Sequence, residues 1–117
     1  MRKLWMTAIG VAFTVAGSFT EAQVTYYYTG NQLLEWCEGD TNIEDHICRG
    51  YIVGAYDMTA AHQGWGDIEK DICMPSSAMP NQLKKVVIKA LNEKPEALHK
   101  QAASLVYDVL YKAFPCD

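Results

Sequence analysis

The sequence predicts an all-α fold, a small four-helix domain stapled by disulfides. Three observations carry this prediction. Apolar residues after position 30 recur at three- and four-residue spacing, the period of a helix with one buried face. Capping and stop signals cut that pattern into four segments. Four cysteines, Cys37, Cys48, Cys73 and Cys116, follow an export-type leader, where an even number reads as a disulfide framework.

The leader is the first element of the 117-residue chain. Arg2 and Lys3 precede an apolar run from Leu4 to Gly17, and Thr20 and Ala22 are small residues placed for cleavage before Gln23. That is the layout of a secretory signal peptide over residues 1–22, removed to leave a domain over residues 23–117. The run is shorter than the roughly 20 residues a membrane span needs, so the mature chain is expected to have no membrane segment. No cysteine sits near the cleavage zone, which argues against a lipoprotein.

Residues 23–30, QVTYYYTG, form an extended aromatic lead-in. A short first helix is expected from Asn31 to Glu38, stopped by Gly39. Thr41 and Glu44 have the capping-box spacing, which starts a second helix near Asn42. Its apolar residues Ile43, Ile47, Tyr51, Ile52, Ala55 and Met58 cover a wide arc, so this helix is expected to be central and covered on most sides, running to about Gln63. Residues 64–80 hold two glycines, two prolines and two serines and read as a loop. A third helix is expected from Pro80, which suits a first helical position, to Asn92. A fourth is expected from Pro95 to Ala113, with Leu98, Ala102, Leu105, Val106, Val109 and Leu110 on one face.

Three cysteine pairings are open. Short connections make consecutive helices antiparallel neighbours, which favours Cys37–Cys48 and Cys73–Cys116. A domain of this size buries only about 60–65% of its unfolded surface, so such staples matter.

Gly50 and Gly54 interrupt the second helix four residues apart, and a helical glycine costs about 1 kcal/mol against alanine. The expected reason is a packing seam, where missing side chains let a neighbouring helix approach. Asp57 beside it is expected to accept hydrogen bonds from the backbone of an adjacent segment.

Several chemistries lack their residues. The histidines, His46, His62 and His99, are not placed to activate a thiol or hydroxyl, and oxidised cysteines leave no nucleophile. The cysteine spacings match no zinc pattern. Acidic groups such as Glu44 and Asp45 read as solvated surface, and no phosphate loop or nucleophile elbow is present. No enzyme activity, metal or cofactor is therefore expected. After residue 22 there are 8 basic and 13 acidic side chains, a formal charge of −5. That disfavours nucleic acid and anionic lipid as partners and favours a basic protein surface. Trp65 stands between two glycines ahead of an acidic run, in GWGDIEKD. Tryptophan is enriched at binding hot spots, so Trp65, Asp67, Glu69 and Asp71 are candidate partner contacts. The alternative is a tryptophan folded back over the bundle.

Gly30-Asn31 with Leu33-Leu34 and Cys37, Cys48 with Gly50-Tyr51-Ile52, Gly54 and Asp57, Cys73 with Pro75, Gln82-Leu83 with Val86-Val87, Pro95-Glu96 with His99, and the closing Ala113-Phe114-Pro115-Cys116 together resemble the Rap/Tai family. These are resistance-associated proteins and type VI amidase immunity proteins of Gram-negative bacteria. The resemblance covers about residues 29–117. It implies a disulfide-bonded periplasmic protein, often a homodimer, that neutralises a type VI secretion effector. In the amidase branch the target is a peptidoglycan-cleaving enzyme whose active-site groove is occluded. His99 joins the candidate contacts through this resemblance. Two positions depart from the family pattern. Met79 replaces the usual Ser or Thr cap of the third helix, and Leu98 replaces the common Arg before His99. The competing expectation is a periplasmic, chaperone-like helical protein with no dedicated toxin.

Overall fold

Thr29 caps the first helix rather than leading into it. Its hydroxyl accepts from the Gln32 N–H, while the Gln32 side chain accepts from the Thr29 N–H. This capping box starts α1, Gly30–Cys37, one residue earlier than the sequence suggests. Thr41 and Glu44 form the same reciprocal pair at the start of α2, Asn42–Trp65. α3 runs Pro80–Glu93 and α4 runs Ala102–Ala113, with a 3-10 helix, Pro95–Ala97, between them. The computed structural model describes residues 25–117, with residue 12 and residues 16–18. Apart from those four positions, the expected signal peptide over residues 1–22 lies outside the described residues. No helix among the described residues is long and apolar enough to cross a membrane.

The fold is all-α, and both favoured disulfides are present, Cys37–Cys48 and Cys73–Cys116. They close loops of 11 and 43 residues in sequence separation. In the chain-entropy account such loops contribute roughly 3 and 4 kcal/mol. The first disulfide ties the end of α1 to the second turn of α2. The second ties the return from α2 to the end of α4. Leu33, Ile52, Ile72, Val87, Val106 and Leu110 fill the core between them and are almost completely buried.

Three expectations need correction. The fourth helix does not begin at Pro95. The carbonyls of Leu98 and Lys100 accept from the N–H groups of Asn31 and Gly30, and Ala102 donates to the carbonyl of Tyr28. The Leu98 and Lys100 carbonyls thus serve the start of α1, and α4 begins only at Ala102.

The second correction concerns α2, which is covered on one side only. Of its 24 residues just Cys48 and Ile52 are buried, whereas Ile43, Ile47 and Met58 are 73%, 41% and 51% exposed. α1, α3 and α4 all pack against α2.

Third, Gly50 and Gly54 are not a seam inside the chain. Both face outward, and apart from the adjoining residues and backbone of α2 itself no atom of the described residues lies within 4 Å of where a Cβ would stand. Asp57, on the same open side, is exposed rather than buried against a neighbouring segment. Close packing does hold at Gly30, where a Cβ would overlap Leu105 and stand 3.0 Å from the Leu98 carbonyl oxygen.

Of the two departures from the family pattern, Met79 is an N-cap with no side-chain hydrogen bond, and neither Ser76 nor Ser77 replaces it. Leu98 is buried in the core.

Candidate functional site

α2 ends in a left-handed Gly66, with φ at 80°. Its N–H bonds the Gln63 carbonyl, and the Asp67 N–H bonds the His62 carbonyl, closing the helix with paired reverse bonds. This turn leaves Trp65 67% exposed on the last turn of the helix. The His62 ring meets the Trp65 ring edge-on at 5.2 Å and shares a hydrogen bond with Asp67 at 3.0 Å. Trp65 is thus steered outward, not folded back over the bundle.

The chain beyond Gly66 is anchored at three points. The Gln63 side-chain oxygen accepts from the N–H groups of Asp71 and Ile72, both at 2.9 Å, and its amide nitrogen donates to the Ile72 carbonyl. Tyr107 on α4 donates its hydroxyl to Asp71 at 3.2 Å. Burial raises the Tyr107 phenol above its usual pKa, and the hydrogen bond with Asp71 pushes the same way. Finally, Ile72 is buried, and Cys73 both donates its N–H to the Phe114 carbonyl and bonds Cys116. The result is a short loop with fixed ends and an exposed crest carrying Asp67, Ile68 and Glu69.

The structure therefore groups Trp65, Asp67 and Glu69 at one end of α2. Asp71 belongs to the same loop but is partly buried and engaged with Tyr107. His99 is elsewhere. It is exposed on the turn before α4, beside the hydrogen bonds that hold the start of α1. Ile72 and Cys73, next to Asp71, pair with residues 114–116 beyond the far end of α4, a helix about 18 Å long by its residue count. Gln63 is the positioning residue that sequence reasoning missed. Its side-chain type gives no signal, because only the return of residues 71 and 72 to the helix shows what it holds.

A concavity of about 680 Å³ lies between α3 and α4. Lys89, Lys94, Lys100 and Lys112 share its walls with Glu93, Glu96 and Asp108, around Leu91, Leu105 and Val109. Lys94 beside Lys112 holds the latter's pKa down, as two like charges must. These mixed charges give no nucleophile and no paired acid and base. The most exposed large side chain of this end of α2 is Trp65, on an acidic loop whose ends are fixed.

A search of curated proteins finds no match. The family model of the Rap1a immunity proteins matches residues 29–116. That span begins at the Thr29 cap and ends at the second disulfide. Covering well over half of the sequence, it makes the chain a member of the Rap1a immunity protein family.

Proposed function

We propose that this chain is a periplasmic immunity protein that binds a type VI secretion effector and neutralises it without catalysis. The effector class we assign is a peptidoglycan-cleaving amidase, inhibited by occlusion of its active site. Membership of an immunity protein family supports neutralisation of a secreted effector. The observation that carries the choice of surface is Trp65, two-thirds exposed on a loop whose ends are fixed. A contact held rigid before binding loses little conformational entropy when it docks. Asp67 and Glu69 beside the tryptophan, and a formal charge of −5 after residue 22, suit a basic rim around the effector's groove. Export through a cleaved signal peptide puts the protein where peptidoglycan is exposed. The homodimer that the family resemblance implies is part of the proposal.

Titration of residues 23–117 into a candidate effector, a peptidoglycan-cleaving amidase, with purified peptidoglycan as substrate, tests this reading. Cleavage should stop at one chain per enzyme. Undiminished cleavage at a tenfold excess would exclude it. The exposed apolar side of α2 gives the chaperone-like alternative its one specific observation. An aggregation assay with several unfolded proteins separates the two, because a dedicated immunity protein leaves their aggregation unchanged.

A further inference from the structure

The concavity between α3 and α4 lies outside the contact loop, and none of residues 65–72 lines it. α3 gives it Val86, Lys89, Ala90 and Glu93, and α4 gives it Leu105, Asp108, Val109 and Lys112. Both sets run at three- and four-residue spacing, so each is a single helix face. Leu91 and Leu105 are buried at its base, and Val86, Ala90 and Val109 are partly buried along its walls. Its volume of about 680 Å³ falls within the range of pockets that hold small organic ligands. We propose that it binds a small carboxylate with an apolar body, the head held between Lys94 and Lys112 and the body lying along Leu91, Leu105 and Val109.

Charge selects the head. The formal charge after residue 22 is −5, yet four of the 8 basic side chains there line this one concavity. Arg49 and Lys84, elsewhere, pair with Asp45. Among the described residues, Lys89, Lys94, Lys100 and Lys112 make no salt bridge, although Glu93, Glu96 and Asp108 stand on the same walls. Lys94 and Lys112 instead lie side by side, and that proximity is the main cause of the lowered Lys112 pKa. Lys94 is the C-cap of α3 and Lys112 lies in the last turn of α4, where a cation suits the end of its own helix. That preference explains each lysine alone but not the meeting of two like charges, which is unfavourable. A carboxylate between them gives each amine a charge-assisted hydrogen bond and turns repulsion into attraction. Four lysines against three carboxylates leave the walls one positive charge in excess, which matches a singly charged head. A phosphate dianion or a polyanion would meet the three carboxylates as well. Leu91, Leu105 and Val109 offer nothing to a polar body, whereas an apolar one gains by leaving water.

Calorimetry of residues 23–117 with decanoate, kept below its micelle concentration, reads the binding, and backbone amide shifts locate it. One decanoate per chain should bind with Kd about 0.1 mM, within the affinity open to so small a ligand. The amides that shift should fall within residues 86–113. Decanol and decyltrimethylammonium, which keep the body and change the head, should bind at least about tenfold more weakly, as loss of a charge-assisted hydrogen bond requires. Inorganic phosphate should not compete. Lys94→Gln combined with Lys112→Gln should weaken decanoate binding by at least about tenfold, with an unchanged far-UV circular dichroism spectrum. Absence of decanoate binding overturns the proposal, as does equal binding of decanol or a folded double variant of full affinity. Amide shifts confined to Ile43, Ile47 and Met58 would place the ligand on the outer side of α2 and overturn it too. Phosphate binding as tightly as decanoate would remove the apolar body from the recognition.

Discussion

Two kinds of glycine separate clearly at the level of single residues. Gly30 is buried where α1 crosses the turn before α4, and any side chain there strikes Leu105 and the Leu98 backbone. Gly30→Ala should therefore destabilise the chain by about 1–3 kcal/mol, the usual range for overpacking. The urea midpoint measures it, and an unchanged midpoint would contradict the crossing. Helical spacing alone could not distinguish Gly30 from Gly50 and Gly54, because it gives a position on the helix without saying what packs there. Among the charged residues, Asp45 and Glu44 titrate below their usual values. The hydrogen bond from Lys84 is the main cause for Asp45, and that from the Thr41 hydroxyl is the main cause for Glu44. A depressed carboxylate pKa adds stability above the unfolded value, and that stability is lost as pH falls through the folded one. Asp45→Asn should thus lessen the loss of stability below about pH 4, read as the slope of unfolding free energy against pH. An identical slope would show that the Lys84 contact contributes nothing.

The four helices and both disulfides were legible in the sequence at the level of elements, since caps, proline and period act locally. The start of α4 and the exposure of α2 were not, because both depend on what other segments do. The Leu98 and Lys100 carbonyls and the Ala102 N–H bond residues 28–31, a pairing that no local pattern encodes. Likewise, Gln63 looks like an ordinary last-turn residue until residues 71 and 72 return to it. The Cys73–Cys116 bond closes this part of the fold, with a sequence separation of 43. Replacing both cysteines by serine should cost about 4 kcal/mol and loosen the 65–72 loop. Thermal unfolding gives the first quantity and amide exchange at Ile72 and Cys73 the second. Full protection of those amides in the variant would mean that Gln63 and Tyr107 hold the loop unaided.

Viewed as a whole, the molecule has two surfaces with different chemistry on its longest helix. One is the acidic crest with Trp65 at the end of α2; the other is the apolar outer face of the same helix. Sequence reasoning singled out the loop from its tryptophan and charges, but it had assigned the α2 face to the core. Isothermal calorimetry of residues 23–117 with the proposed effector, a peptidoglycan-cleaving amidase, tests the central claim most directly. Wild-type chain should bind at one effector per chain. Trp65→Ala, a substitution on an exposed site, should keep the fold and weaken binding by at least 2 kcal/mol, about thirtyfold, as expected of a hot-spot residue. No heat of binding from the wild type would contradict the immunity function, and full affinity in Trp65→Ala would remove the loop from it.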